Sequence, residues 1–491
     1  MSGHIHKFAG EFEGGTKSQW RTLAETALRG AEFETLVRRS EDGIWLGPLF
    51  TKDDAQSETA LTKGSAPHLT GRPWHIDALI DHPDITNANK DILADLKGGA
   101  SALTLKIDPS GKTGIALRDK LDLQRLLAGV HTDLVPIKLL PAAENFKPAA
   151  LMAAHFKNHI DLAHIYLSLG YAPLHDGGDK VLDVAGWVKA NAPHWKAISI
   201  DASAAYEAGA TPAQELAYML SRATSYVRRL ESCGFTIDDI FSTIDVHLSS
   251  GQDVHQGIVK FRAARLLWAQ LTGAFGASNT NCTLHATSAR RMLAKTDPWS
   301  NLLRLNSACF GAVCGGVDYI TVLPHTHPLG LATPFARRIA RNMQLLQMEE
   351  TQLGHVSDPA SGSYMHETLT YELAKKAWEI FQHMESLGDW PNSENWLVAQ
   401  IKTANDIRLQ KIKDGDILLI GVNQFAKPDV RRAEILSRPV IKPKSGKMIQ
   451  SDNFKEAILE ASNGYLLPSE ALFCPLTPVR LSEAHEREAS S

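Results

Sequence analysis

Cysteine is scarce in this chain and falls in no pattern. The five thiols, Cys233, Cys282, Cys309, Cys314 and Cys474, form no C-x-x-C pair. That excludes a zinc knuckle or a disulfide framework as the organising element and suits a reducing, cytoplasmic setting. Long apolar runs are missing too. The most apolar long window, Ser307–Pro324, is interrupted by Asp318 and three glycines, so it reads as a buried helix–strand pair and not a membrane span. The opening MSGHIHKFAGEFEGG has no apolar signal core. Neither sign of charge dominates: 51 Lys and Arg face 55 Asp and Glu, for a net charge of −4. Nucleic acid and anionic membrane are thereby excluded as main partners. No H-E-x-x-H occurs, and His325-Thr326-His327 has no third ligand at useful spacing, so no metal site is expected.

What is present is the composition of a soluble globular protein, 44% hydrophobic and 22% charged over 491 residues. That length suits one large barrel with extensions. Trp20–Phe50 reads as a helix, a turn at Asp42-Gly43 and an extended piece, and Thr51–Pro73 as a polar linker. From about Asp84 strand and helix signals alternate. Short β-rich runs lie at Ala102–Ile107, Leu134–Leu140, Ala197–Ile200, Thr243–Leu248, Cys282–His285 and Tyr319–Leu323. Between them run helical faces such as Leu216, Met219, Ala223, Tyr226 and Leu230. Thr211-Pro212 is a helix start, and Gly234 and Gly276 are stops. Repeated β-α units predict a parallel sheet, best closed as a (β/α)8 TIM barrel. The expected divisions are an N-terminal arm and linker over 1–83, making subunit contact, the barrel over 84–400, and a C-terminal extension over 401–491. An open doubly wound sheet would show a glycine-rich phosphate turn after its first strand. Gly111-Lys112-Thr113 mimics only the end of a P-loop, since Lys106 stands where the earlier glycine belongs.

Several constellations carry possible chemistry. Asp245-Val246-His247 is similar to the D-x-H-x-x-G of corrinoid-binding domains, but Ser250 replaces the glycine and the segment reads as a barrel strand. Polar strand-end residues are the simpler reading. His285-Ala286-Thr287-Ser288 follows a strand, and His325 and His327 follow another. These five positions, His285, Thr287, Ser288, His325 and His327, are the candidates to face a substrate. Arg337-Arg338-Ile339-Ala340-Arg341-Asn342 reads as a helix whose arginines pair with acids, and Asp358–Tyr364 as a fixed turn before a helix. The most informative loop is Ile198–Gly209, ISIDASAAYEAG. Past Asp201 it offers only Ala202, Ser203, Ala204 and Ala205, where a barrel enzyme normally places a titratable group.

Together these segments resemble the methylmalonyl-CoA mutase family from Trp20 to about Glu483. The strongest signals are Glu207–Ala210, Lys260–Trp268 (KFRAARLLW), Arg338–Gln344 and Asp358–Tyr364. Arg72-Pro73-Trp74, Asp81-His82-Pro83-Asp84 and Asn87-Ala88-Asn89 resemble its small, or β, subunits specifically. On the resemblance, the catalytic histidine of the large subunits falls on Ala204, the catalytic tyrosine on Leu79 and the substrate-binding arginine on Asp77. No catalytic, cofactor-binding or metal-binding residue is therefore expected here. Pro478-Val479-Arg480-Leu481 is similar to the linker into a cobalamin-binding domain, and only eight residues follow Glu483, so that domain is expected to be absent. The resemblance implies the non-catalytic small subunit of a heterodimeric, adenosylcobalamin-dependent mutase. The large catalytic subunit would bind the cobalamin, and the complex would interconvert (R)-methylmalonyl-CoA and succinyl-CoA. One alternative is a catalytic acyl-CoA mutase subunit borrowing a separate cobalamin-binding chain. Another is an unrelated aldolase or hydrolase barrel using Asp201, Asp245 and His247.

Overall fold

The computed structural model describes residues 15–54, 71–141, 145–159, 162–173, 179–279, 281–468 and 476–488. Cys474 and most of the expected linker lie outside them. Eight parallel strands close into a barrel: β1 His75–Ile80, β2 Ala102–Leu105, β3 Ile137–Leu139, β4 Leu167–Tyr171, β5 Lys196–Asp201, β6 Ile244–Ser250, β7 Leu284–Ser288 and β8 Tyr319–Thr321. Tyr319 in β8 pairs with His75 in β1, which closes the ring. At least one helix follows each strand, and the outer ring is α1 Ile85–Lys97, α2 Lys120–Leu126, α3 Lys147–Phe156, α4 Asp179–Asn191, α5 Pro212–Glu231, α6 Val254–Ala274, α7 Ser300–Cys314 and α8 Pro334–Leu345. The (β/α)8 barrel expected from the alternating pattern is the architecture observed. No described helix is long and apolar enough to cross a membrane.

The barrel begins before residue 84, because β1 lies within the stretch assigned to the arm. Strands of a parallel barrel usually read as continuous apolar runs. In His75-Ile76-Asp77-Ala78-Leu79-Ile80 the inward residues include a histidine and an aspartate, and that run is broken. Strand β4 escapes notice for a related reason. Its LSLGY carries Ser168 inward, and its register with β5 shifts between Ser168 and Tyr171. Gly170 there has φ +61°, and a Cβ would lie 2.6 Å from the Leu139 carbonyl oxygen, so glycine is required.

Helix α5 starts as its sequence requires. Thr211 and Gln214 form a capping box and Pro212 opens the first turn. Gly234 and Gly276 terminate their segments with φ of +87° and +78°. Beyond the barrel, helices Tyr364–Ser386 and Trp390–Asp414 extend the outer layer. Ile417–Val422, strand-like in sequence, forms a turn instead. Its Leu419 N–H donates to Asn423 Oδ1 at 2.6 Å, and Gly421 takes φ +76°.

Buried ion pairs tie the outer helices together. Lys260 on α6 meets Glu215 on α5 at 2.6 Å, and Arg262 meets Glu367 at 2.7 Å and also Asp358. Arg265 reaches Asp318 at 3.1 Å and donates to the Gly316 carbonyl at 2.9 Å. Arg341 on α8 bonds Asp95 on α1 at 2.5 Å, and Arg337 shares that carboxylate. The last and first β-α units are thereby joined. Breaking one such pair strands a buried charge. Burial already raises the Glu215 carboxyl against the pull of Lys260. Lys260→Met is therefore expected to lower unfolding free energy by about 3–5 kcal/mol in urea denaturation. The deficit shrinks at acid pH as Glu215 takes up a proton, and a Lys260→Met/Glu215→Gln double variant recovers much of it.

Candidate functional site

Inward positions of the strands fill the barrel axis with polar side chains. In one register layer Tyr319 lies beside both His75 and His285, and His285 beside His247. Their rings form a continuous pile. His247 and His285 stack with centroids 4.5 Å apart, His285 and Tyr319 at 4.4 Å, and Tyr319 and His75 at 4.5 Å. Facing the pile is Lys138 of β3. Its Nζ lies 2.9 Å from Asp77 and 2.7 Å from His285 Nδ1, and 4.9 Å from the Tyr319 ring centre. Asp77 also accepts from Thr104 Oγ1 at 2.7 Å and Thr321 Oγ1 at 2.5 Å. His75, Asp77, Lys138, Asp245, His285 and Tyr319 are each no more than 2% exposed.

The charges in this core balance through specific contacts. Burial opposes ionisation of Asp77, but Lys138 and the hydroxyls of Thr321 and Thr104 outweigh it and hold the carboxyl below its ordinary range. Burial likewise opposes ionisation of Asp245, and His247 and His285 outweigh it. For His285, burial and then the Lys138 and His247 charges keep the ring neutral, against the pull of Asp245.

Asp245, His247 and His285 bring one ligand atom each within 4.8 Å of one another, a donor set that suits transition metals. Two features argue against that use. The ammonium of Lys138 makes His285 Nδ1 an acceptor, so Nε2 carries the proton and faces Asp245 Oδ2 at 3.3 Å. The two imidazole planes are also within 14° of parallel, so their nitrogen lone pairs do not converge on one point. The cluster reads as an electrostatic plug, with the Asp245 carboxylate between two rings, 3.5 Å from His247 Nε2 and 3.3 Å from His285 Nε2.

The candidates read from sequence scatter around this plug. His285 lies at its centre, and Thr287 on the same inward face pairs in register with Ser249 and Thr321. Ser288 turns outward, where its Oγ accepts from the Leu323 N–H at 2.9 Å. His325 packs beside Trp299, ring centres 5.2 Å apart, on the outer side of the loop after β8. Alternation along β7 thus sends Ser288 outward, and His325 lies against Trp299. His327 lies among Arg290, Lys106 and Arg438 at the carboxyl end of the barrel, and burial and these cations push it down to about 3. Leu79 and Ala204 present only hydrocarbon, Leu79 inward on β1 and Ala204 on the short helix Ser203–Glu207 after β5. Asp77, on which the resemblance places the substrate-binding arginine of the large subunits, is committed to Lys138. Sequence reasoning missed Lys138, Tyr319 and His75. The available signal was a lone lysine inside the apolar run Val135–Leu140.

Lys138→Met removes the cation between Asp77 and His285 and is expected to cost about 3–5 kcal/mol of stability in urea denaturation, with Asp77→Asn/Lys138→Met recovering part of it. Acid should also destabilise the protein. His155, at about 4, His327, at about 3, His285, His325 and His366 are all held below the ordinary 6.5, burial being the largest cause of each. Below that value the unfolded chain binds protons that the folded chain refuses. Stability therefore falls as pH drops through 6.5, by at most about 1.4 kcal/mol per pH unit for each ring. His285→Gln should make that slope shallower by up to about one proton.

Comparison with known proteins closes the question of family. The methylmalonyl-CoA mutase family model matches residues 167–457. The chain is 32% identical over 486 residues to the methylmalonyl-CoA mutase small subunit of Streptomyces virginiae, covering 93% of this chain and 78% of that one. Against the small subunit of Propionibacterium freudenreichii subsp. shermanii it is 30% identical over 471 residues, covering 89% and 73%. A methylmalonyl-CoA mutase of Rhizobium meliloti is 27% identical over 466 residues, covering 86% and 65%. The KFRAARLLW helix, the Asp358–Tyr364 turn and the barrel they brace are thus those of an isomerase family, and the chain belongs to the methylmalonyl-CoA mutases.

Proposed function

We propose that this chain is the non-catalytic small subunit of a heterodimeric, adenosylcobalamin-dependent methylmalonyl-CoA mutase. Its large partner would bind the cofactor and interconvert (R)-methylmalonyl-CoA and succinyl-CoA. The observation that carries this reading is the filled barrel axis. Rearranging an acyl group requires a positioned polar group at the migrating carbonyl and a clamp on the carboxylate. Here Leu79 and Ala204 are hydrocarbon, and the acid Asp77 is spent on Lys138. The relatives named small subunits at 30–32% identity support the same role.

The cofactor does not suit the residues of this chain that most resemble a corrinoid motif. His247 of Asp245-Val246-His247 is stacked inside the barrel against His285, where no corrin reaches it. The proposed assignment therefore leaves adenosylcobalamin to the partner. The N-terminal arm supports a subunit contact. Helix Lys17–Ala27 has no buried residue, and Leu23 on it is 70% exposed. Free thiols at Cys233, Cys282, Cys309 and Cys314 fit a cytoplasmic setting.

Co-expression with the large mutase subunit of the same organism, affinity capture and a mutase assay with adenosylcobalamin test the proposal. Stable 1:1 association is expected, with turnover only when the large chain is present. Ala204→His in the isolated chain is expected to stay inactive. Turnover by this chain with only a small cobalamin-binding protein added would favour the catalytic alternative.

A further inference from the structure

A cleft of about 470 Å³ opens at the carboxyl ends of β2, β3 and β4, beside the filled axis. That end of a (β/α)8 barrel is where such folds hold small molecules, and the volume falls in the range of ligand pockets. One wall is hydrocarbon, formed by Leu105, Leu139, Leu140, Leu169 and Leu467. The opposite rim is polar and comes from the loop after β2 and from Asn145.

The hydrogen-bonding character of that rim is one-sided. Asp108 is the rim's carboxylate, and both its oxygens are already engaged. Oδ1 accepts from Ser110 N and Oγ at 2.9 and 2.6 Å, and Oδ2 from Thr113 N and Oγ1 at 2.7 and 2.9 Å. The two hydroxyl protons are thereby spent as well. Asn145 Oδ1 accepts from the Lys147 N–H at 2.9 Å, which leaves the Asn145 amide to donate. No described residue gives Lys106 or Lys112 an ion pair or a side-chain hydrogen bond. The unspent side-chain groups are therefore two ammoniums and an amide N–H, all donors, above an apolar wall.

The loop that carries them is rigid. Ile115 N–H donates to the Lys106 carbonyl at 2.7 Å, and Gly111 N–H to the Asp108 carbonyl at 2.8 Å. Gly114 lies so close that a Cβ would sit 2.3 Å from Lys106 O. Burial, with Arg290 and Arg438 nearby, lowers Lys106 to about 8 against the opposing pull of Asp81 and Asp108. A half-buried cation without a hydrogen-bonded counter-charge is unfavourable, and an anion supplied from outside relieves it.

We propose that this cleft binds a small amphipathic anion, an acidic head held by Lys106, Lys112 and Asn145 with a body of a few carbons laid on the leucine wall. A carboxylate and a phosphate monoester share that chemistry. The site is independent of the proposed subunit role, since it needs neither cobalamin nor a partner.

Isothermal titration of the full chain with octanoate and with hexyl phosphate tests it, with octylammonium and inorganic phosphate as controls. At least one amphipathic anion is expected to bind, and the tighter of the two identifies the head group. Lys106→Met/Lys112→Met is expected to weaken that binding by about tenfold or more with the melting temperature unchanged. Lys112→Met alone, at an exposed position, should weaken it in the same direction and serves if the double variant does not fold. The proposal is overturned if neither anion binds at millimolar concentration, or if octylammonium binds as tightly as octanoate. It also fails if inorganic phosphate matches hexyl phosphate, or if the lysine variants bind within about twofold of the parent.

Discussion

A lysine ammonium buried in a barrel axis dictates what surrounds it. Lys138 has three donors and no acceptor, and at 2% exposure it has no water to meet them. It therefore needs an anion, supplied by Asp77 at 2.9 Å, and a neutral acceptor, supplied by His285 Nδ1 at 2.7 Å. From that second contact the rest follows. With Nδ1 engaged, His285 turns its proton toward Asp245, and Asp245 in turn draws His247. Thr104 and Thr321 complete the shell of Asp77. One cation thereby orders side chains from β1, β2, β3, β6, β7 and β8, and the same set removes free space from the centre of the fold.

Elsewhere charge serves assembly of the scaffold. The segments by which the family is recognised carry side chains that end in buried ion pairs. Lys260, Arg262 and Arg265 each close a different contact, to α5, to the Asp358–Tyr364 turn and following helix, and to the residue before β8. Glu207 receives the backbone N–H groups of Arg290 and Arg291 at 2.9 Å each. Such pairs give little net stability over a hydrocarbon replacement, but losing one partner is expensive. Each position therefore constrains its partner, and a family signature can persist in these contacts.

How much of this was legible in the sequence depended on where polarity falls. Strands with apolar outer faces, such as Ile198 and Ile200 in β5 and Leu103 and Leu105 in β2, stand out as β-rich runs, and the alternation with helices was enough to expect a closed barrel. Strand β1 did not stand out, because His75 and Asp77 point into the axis and mimic loop residues. The plug was harder still. Its members are scattered from residue 75 to residue 319, and only closure of β8 onto β1 brings Tyr319 beside His75. Lys138 was visible as an anomaly in an apolar run. Its partners were not, since period-two alternation tells which face a residue takes but not which residue lies across the barrel. Ser288 illustrates the same limit, one position from Thr287 and on the opposite face.

The polar side chains on the axis and the hydrocarbon at Leu79 and Ala204 also bear on each other. An open channel lined by these side chains would leave polar walls with nothing to bond, and buried polar groups without partners are costly. Contacts from Lys138 to Asp77, His285 and Tyr319 offset part of that cost and tie facing strands together. The arrangement is also hard to undo one residue at a time. Restoring an imidazole at Ala204 leaves the axis closed, and removing Lys138 to open it leaves Asp77 unpaired.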